Sequence, residues 1–214
     1  AGRPAGTSRE YVYDIPADHM GGTFWYHPHT HGAGAMQVGG GAFGMLIVED
    51  EPEETPYELA SMVEVLLVLQ MQYFATLGVA THETVSAQLH DTLNMDVSGP
   101  RANFILANGQ HQPTVSLVAN QYARFRILNA NAVATLELDI PRGSHCSMDV
   151  LAHDGVYLER PAHVNHGLVL VPGGRVDLAL RCRRSGSYVL RSNPDRVRDA
   201  ALGRHARQTV SGDE

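Results

Sequence analysis

Lysine is missing from this 214-residue chain: all 16 basic residues are arginine. The bias fits a genome's codon usage, although arginine also favours fixed, bidentate ion pairs. Set against 23 acidic residues it leaves a net charge of -7, which argues against a nucleic-acid partner. Cysteine is scarce. Cys146 and Cys182 are too few and too far apart for a zinc knuckle, and stand either as two free core thiols or as one disulfide of an exported protein. Long apolar runs are absent as well. The longest candidate, around Val63 to Leu69, is strand-sized, far from the ~20 residues of a membrane-spanning helix. Ala1 stands where a start methionine would, and no basic-then-apolar leader precedes it, so the chain reads as a piece of something longer. Neither a nucleophile elbow nor a phosphate-binding glycine loop occurs, which removes serine-hydrolase and nucleotide chemistry.

What is present describes an all-β protein. Hydrophobic residues make up 43% and charged ones 18%, enough apolar surface for a core and too little charge for wholesale disorder. Twenty-one glycines and 11 prolines punctuate short runs rich in Val, Leu, Ile and Tyr, the rhythm of a sandwich or barrel. The runs begin with Tyr11–Pro16, then Thr23–His29, a glycine-dense loop from Gly32 to Gly41, and Phe43–Asp50. Residues 51 to 62 are acidic and hold two prolines, which marks a boundary. Glu64–Tyr73 follows as a strand, and Thr81–Leu93 as the one helix, capped by Thr81 with Val85, Leu89 and Leu93 recurring at i+4. Further strands are expected at Asn103–Leu106, Thr114–Val118, Tyr122–Leu128, Thr135–Ile140, Cys146–Ala152, Gly167–Val171, Arg175–Cys182 and Ser187–Arg191. That is a complete Greek-key sandwich, whereas the part before Asp50 has too few strands to close a sheet of its own. The expected units are therefore residues 1–50, 51–195 and a polar, Arg-rich tail over 196–214. The acidic stretch and the tail's arginines read as a solvated face and a frayed end.

Twelve histidines are the compositional anomaly, and three of them fall in Gly22-Thr23-Phe24-Trp25-Tyr26-His27-Pro28-His29-Thr30-His31-Gly32. On a strand, His27 and His29 share a face with Cα atoms roughly 6.5 Å apart. One metal can take both, or two neighbouring metals one each. Pro28 lacks an N–H and marks a strand end or edge, and the glycines that follow allow tight backbone paths. Imidazole suits copper, zinc and iron.

That motif, with Gln37 and Gly44-Met45-Leu46-Ile47-Val48-Glu49-Asp50, resembles the end of the first cupredoxin (plastocyanin-like) domain of multicopper oxidases. These are the laccase, ascorbate oxidase and copper-efflux oxidase family, and the His-Pro-His-x-His-Gly form is most similar to the bacterial copper-efflux group. Segments resembling the middle cupredoxin domain follow in order: Phe104 to Gly109, Arg124 to Asn129, Leu151 to Gly155 and Pro172 to Asp177. The resemblance spans about residues 7 to 193. It implies an all-β chain of cupredoxin-like domains, one partial and one complete. It further implies an oxidoreductase that couples one-electron oxidation of a small donor, a phenol or a metal ion, to reduction of O2 to water. His27 and His29 would each bind one of the two paired (type 3) coppers of a trinuclear cluster, while His31 has no assigned ligand role. An extracellular or periplasmic location goes with the family.

The departures are equally specific. The family's earlier histidine pair and its blue-copper ligands do not occur in this chain, so missing cupredoxin domains are needed to complete the site, and the chain alone is expected to be inactive. His145-Cys146 is followed by Ser147 rather than histidine, and His163-Val164-Asn165-His166 lacks a third histidine at Leu168, so neither makes a copper site. A zinc hydrolase built on His29-Thr30-His31 fails because Ala33 and Gly34 stand where its carboxylate and histidine belong. The remaining alternative is a non-catalytic, cupredoxin-like binding module.

Overall fold

The computed structural model describes residues 6–53, 55–76, 84–86, 101–132, 134–141, 143–165 and 167–192. The N-terminal part contributes a two-stranded antiparallel hairpin, β1 (Gly22–Tyr26) with β2 (Gly44–Val48), in the register Trp25↔Met45 and Tyr26↔Gly44. Between its strands lies a short helix, α1 (Gly34–Gly39), within the stretch expected to be a glycine-rich loop. A one-turn helix, α2 (Tyr57–Ala60), starts behind Pro56 at its N-cap, where a missing N–H costs nothing.

The remaining strands make two facing sheets. In chain order they are β3 (Val63–Thr76), β4 (Thr84–Ser86), β5 (Arg101–Ala107), β6 (Gln110–His111), β7 (Ala123–Asn129), β8 (Leu136–Asp139), β9 (Cys146–His153), β10 (Val156–His163), β11 (Leu168–Leu170), β12 (Arg175–Cys182) and β13 (Arg191–Ser192). The large sheet runs β10-β9-β12-β7-β3-β5-β6 with β4 on β3, and the small one β11-β8-β13. Neither sheet closes on itself. Within the large sheet β3–β7 is parallel, Val63 to Leu69 against Ala123 to Asn129, and the other pairings are antiparallel.

Period-two alternation builds the core. Leu67, Leu69 and Met71 of β3, Phe125 and Ile127 of β7, Leu178 and Leu180 of β12, and Met148 and Val150 of β9 point to one side. There they meet Leu136 and Leu138 of β8 and Leu168 and Leu170 of β11. Cys146 and Cys182 are register partners on β9 and β12 and form a disulfide, with Cα atoms 3.9 Å apart. This settles the alternative left open by the sequence.

Several expected elements differ. Tyr11–Pro16 alternates like a strand, yet it is irregular, with Tyr11, Val12 and Tyr13 exposed. Thr114–Val118 is likewise irregular, and Val115, Leu117 and Val118 remain exposed. Alternation marks the face a strand would bury but cannot supply the neighbour that buries it. Of the expected helix Thr81–Leu93, the described residues Thr84–Ser86 are strand, paired with Phe74–Thr76, and the rest lies outside the described residues. Ser187–Arg191 shortens to β13. Strand β10 was not anticipated: its Pro161 sits at an irregularity in the β9 register and on the sheet's end, where a proline is tolerated. The tail over 196–214 lies outside the described residues.

Candidate metal centre

Strand β1 stops at Tyr26, one residue before the first histidine of the motif. His27, Pro28 and His29 therefore do not continue the strand as the alternation suggested. The chain turns instead: the Ala33 and Gly34 N–H groups donate to the Thr30 carbonyl at 3.1 and 2.7 Å, and α1 begins there. Pro28 has no N–H for a ladder and suits this exit. Three imidazoles follow one another around the turn, all exposed, with ring centres 6.2 Å apart for His27–His29 and 5.9 Å for His29–His31.

All three line an open cavity of about 510 Å³, together with Trp25, Asn131 and Pro172. The loop after β7 and the turn before β12, distant in sequence, thus close the cavity that the histidine turn opens. Asn131 is held at its base: its Oδ1 accepts from the Met71 N–H at 2.6 Å, and its Nδ2 donates to Asn129 Oδ1 at 2.5 Å. Helix α1 is tied down from β3, where Gln70 Nε2 donates to the Val38 and Gly39 carbonyls and Gln72 Nε2 to Gly39. Those carbonyls lie at the helix C-terminus, where no intrahelical donor remains for them.

His27 Nδ1 lies 3.1 Å from the Pro28 carbonyl, which can only accept, so the neutral tautomer that makes this hydrogen bond has its proton on Nδ1 and its lone pair on Nε2. This is the arrangement usual in metal-ligating histidines. A metal about 2.0–2.1 Å from an imidazole nitrogen lies about 3.2 Å from the ring centre. At 6.2 Å, one ion shared by His27 and His29 would have to sit almost on the line between the rings. Separate ions meet no such restriction. Among the described residues no three His, Cys, Asp or Glu groups converge on one point, so the donors suit copper in type but form only part of a coordination shell.

The second feature of the site was invisible in the motif. The hairpin is bound to the large sheet by a buried ionic cluster. Arg124 donates to Asp177 Oδ2 from Nε at 3.1 Å and from Nη2 at 2.6 Å, to Asp50 Oδ2 from Nη1 at 2.6 Å, and to the Tyr157 hydroxyl. Tyr157 in turn donates to Asp50 Oδ1, Thr23 Oγ1 donates to Asp177 Oδ1 at 2.6 Å, and Arg126 pairs with Glu64 at 2.8 Å. Burial alone would raise the Asp50 pKa, but hydrogen bonds from Arg124 and Tyr157 and the two guanidinium charges hold it below its usual value. Burial and the hydrogen bond to Asp50 push the Tyr157 hydroxyl well above its usual range. Burial opposes the Arg124 charge, and the two aspartates more than restore it. The cluster fixes the strand that leads into His27.

The two weaker histidine motifs stay apart from this site. Cys146 is in the disulfide, and His163 Nδ1 pairs with Asp149 at 2.9 Å on the β9–β10 edge. His166 lies outside the described residues.

A sequence profile described as multicopper oxidase matches residues 2–53, which hold the whole histidine turn. The multicopper oxidase mco of Staphylococcus aureus is 25% identical over 158 residues, 74% of this chain and 32% of its own length. The structure of the Campylobacter jejuni multicopper oxidase, described as a metallo-oxidase, superposes with a TM-score of 0.61 at 27% identity. It covers 84% of this chain and 34% of that one. This chain is similar to the multicopper oxidases. Its fold is all-β and cupredoxin-like, a sandwich rather than a closed barrel. The cell division protein FtsP of Salmonella typhimurium is also similar, 26% identical over 166 residues, 77% of this chain and 32% of its own length. The chain thus spans about a third of the length of the curated relatives it matches. Among the described residues no helix is long and apolar enough to cross a membrane.

Proposed function

We propose that this chain supplies part of the copper site of an oxidoreductase that reduces O2 to water with electrons from a small donor, a phenol or a metal ion. His27 and His29 hold one copper each at the paired type 3 positions. The observation that carries this is the turn after β1, which presents both rings to one cavity with His27 Nδ1 turned to the Pro28 carbonyl. Copper bound there would accept electrons and pass them to O2. The chain's own residues do the rest: His27 and His29 supply nitrogen donors, Pro28 offers no N–H that would carry the ladder on beyond Tyr26, and Asn131 and Pro172 wall the cavity.

Two imidazoles cannot complete the shell of even one copper tightly, so the remaining ligands come from further cupredoxin units, in this or another chain. On this reading residues 1–50 are the end of one plastocyanin-like unit, 51–195 a second, and 196–214 a polar tail, in a protein working outside the cytoplasm. The disulfide suits an oxidising compartment.

A second reading, a non-catalytic cupredoxin-like binding module, is favoured by the incomplete donor set and by the likeness to FtsP. Copper titration with an oxygen-uptake assay on a phenolic donor separates them. The proposal expects weak copper binding by the 214-residue chain, lost on His27→Ala with His29→Ala, and no sustained oxygen uptake without the further units. Unchanged copper binding by that double variant would leave the module reading.

A further inference from the structure

The imidazole of His27 is not loose on its turn. Its ring stacks on the Trp25 indole, with centres 4.1 Å apart and planes 24° from parallel. The indole is in turn pressed from the large sheet by the turn before β12. Gly173 has φ +73°, and a Cβ there would come within 2.9 Å of the Trp25 ring, so the backbone reaches the indole only because no side chain intervenes. That turn is itself anchored. The Gly173 N–H donates to the Asn129 carbonyl at 2.8 Å, and Arg175 donates from Nη1 to the Gly173 carbonyl and from Nε to the Thr23 carbonyl. The same arginine thus grips both the turn and the strand that carries Trp25.

We infer that Trp25, clamped by the Gly173 turn, is the positioning residue for His27, and that it sets the ring plane which aims Nε2 into the cavity. The inference rests on the copper reading of His27 and His29. The other ring contacts of the turn are tilted rather than stacked, by 39° between His27 and His29 and by 56° between His29 and His31. Trp25 therefore acts on one ligand of the pair. Positioning of this kind lowers the ordering cost of binding: a ring already held in its bound orientation loses less freedom when a metal arrives. Trp25 touches neither metal nor substrate in this scheme.

Trp25 is the only tryptophan in the chain, which gives the test its probe. In the wild-type chain, cupric ion alone should quench the indole fluorescence as it binds. The His27 ring protons should be shifted upfield by the indole ring current while those of His31 are not. Calorimetric titration with cupric ion should find Trp25→Leu, which keeps apolar bulk but no ring, about three- to tenfold weaker than wild type. Trp25→Phe, which keeps an aromatic face, should recover affinity to within about twofold of wild type. Wild-type affinity in a folded Trp25→Leu chain overturns the inference. So does an unshifted His27 spectrum in wild type, a measurement that holds even where the leucine variant fails to fold. The two readings fail separately. Copper binding that survives His27→Ala with His29→Ala sinks the copper assignment, whereas binding lost there but unchanged in Trp25→Leu sinks the positioning role alone.

Discussion

At β7 and β12 the large sheet is buried on both faces, and the two faces are buried by opposite chemistry. On one face of β7 and β12, Phe125, Ile127, Leu178 and Leu180 pack against the small sheet. On the other, Arg124, Arg126 and Asp177 pack against the histidine-bearing hairpin, each 2% exposed or less. Apolar burial is non-directional and tolerates small shifts of the covering layer. The ionic face holds its cover by hydrogen bonds of fixed geometry, and Arg124 alone reaches Asp50, Asp177 and Tyr157. One face supplies cohesion, the other supplies the registration that places His27.

The sharpest way to break this comparison is Arg124→Ala. It leaves Asp177 buried with its main partner gone, which costs about 3–5 kcal/mol, where exchanging both members for apolar residues costs much less. Chemical denaturation should show the single variant destabilised by that amount and Arg124→Met with Asp177→Leu less so. Limited proteolysis should open the hairpin first in the single variant. Equal destabilisation by the single and double changes would show that the cluster acts as packing only.

Reducing the Cys146–Cys182 bond touches the apolar sandwich and not the hairpin. The cysteines are 36 residues apart in sequence, and a loop of that size is worth about 3–4 kcal/mol of unfolded-state entropy. Denaturation with and without reductant should differ by about this much, with the proteolytic pattern of the hairpin unchanged. A smaller effect still is expected from Ile127→Val at the fully buried apolar face, about 0.5–1.5 kcal/mol, with copper binding unaltered. A loss of copper affinity in Ile127→Val would show that the two faces are not independent.

The same contrast decides what could be read from the sequence. Val176-Asp177-Leu178-Ala179-Leu180 alternates as a half-exposed strand does, and its bounds Arg175–Cys182 were legible from that pattern. The pattern misled about the second face. A strand buried on both sides normally reads as a continuous apolar run, and β7 is buried along its whole length while carrying two arginines. Asp177 and Tyr157, together with Asp50, Glu64 and the hairpin's Thr23, make those arginines affordable inside, and they lie 33 to 103 residues away in sequence. The histidine turn was legible because residue types and spacing are local. Trp25's clamp was not, since Gly173 announces nothing about which ring it will approach. The expected strand at Tyr11–Pro16 failed for the same reason: a strand needs a neighbour, and alternation is silent about neighbours.

The mildest test of the comparison is a pH titration of stability, because only the ionic face carries protons. Asp50 has its carboxyl pKa lowered in the folded chain: burial works against this, and the Arg124 and Tyr157 hydrogen bonds with the two guanidinium charges prevail. A depressed folded pKa means that the unfolded chain takes up the proton first as pH falls. The stabilisation is therefore complete above the unfolded value of about 3.8–3.9 and is lost as pH drops through the lower folded value. Tyr157 runs the other way. Its raised pKa gives stability that is complete below the unfolded value of about 10 and lost as pH climbs beyond it. Denaturation midpoints measured from pH 3 to 11 should thus fall at both ends in wild type. In Asp50→Asn the acid-side fall should shrink, because the titrating carboxyl is gone while the apolar face is untouched. In Ile127→Val the whole curve should drop by a constant amount and keep its shape. An Asp50→Asn profile parallel to wild type on the acid side would mean that other carboxylates, and not the hairpin's anchor, set the acid limit of this fold.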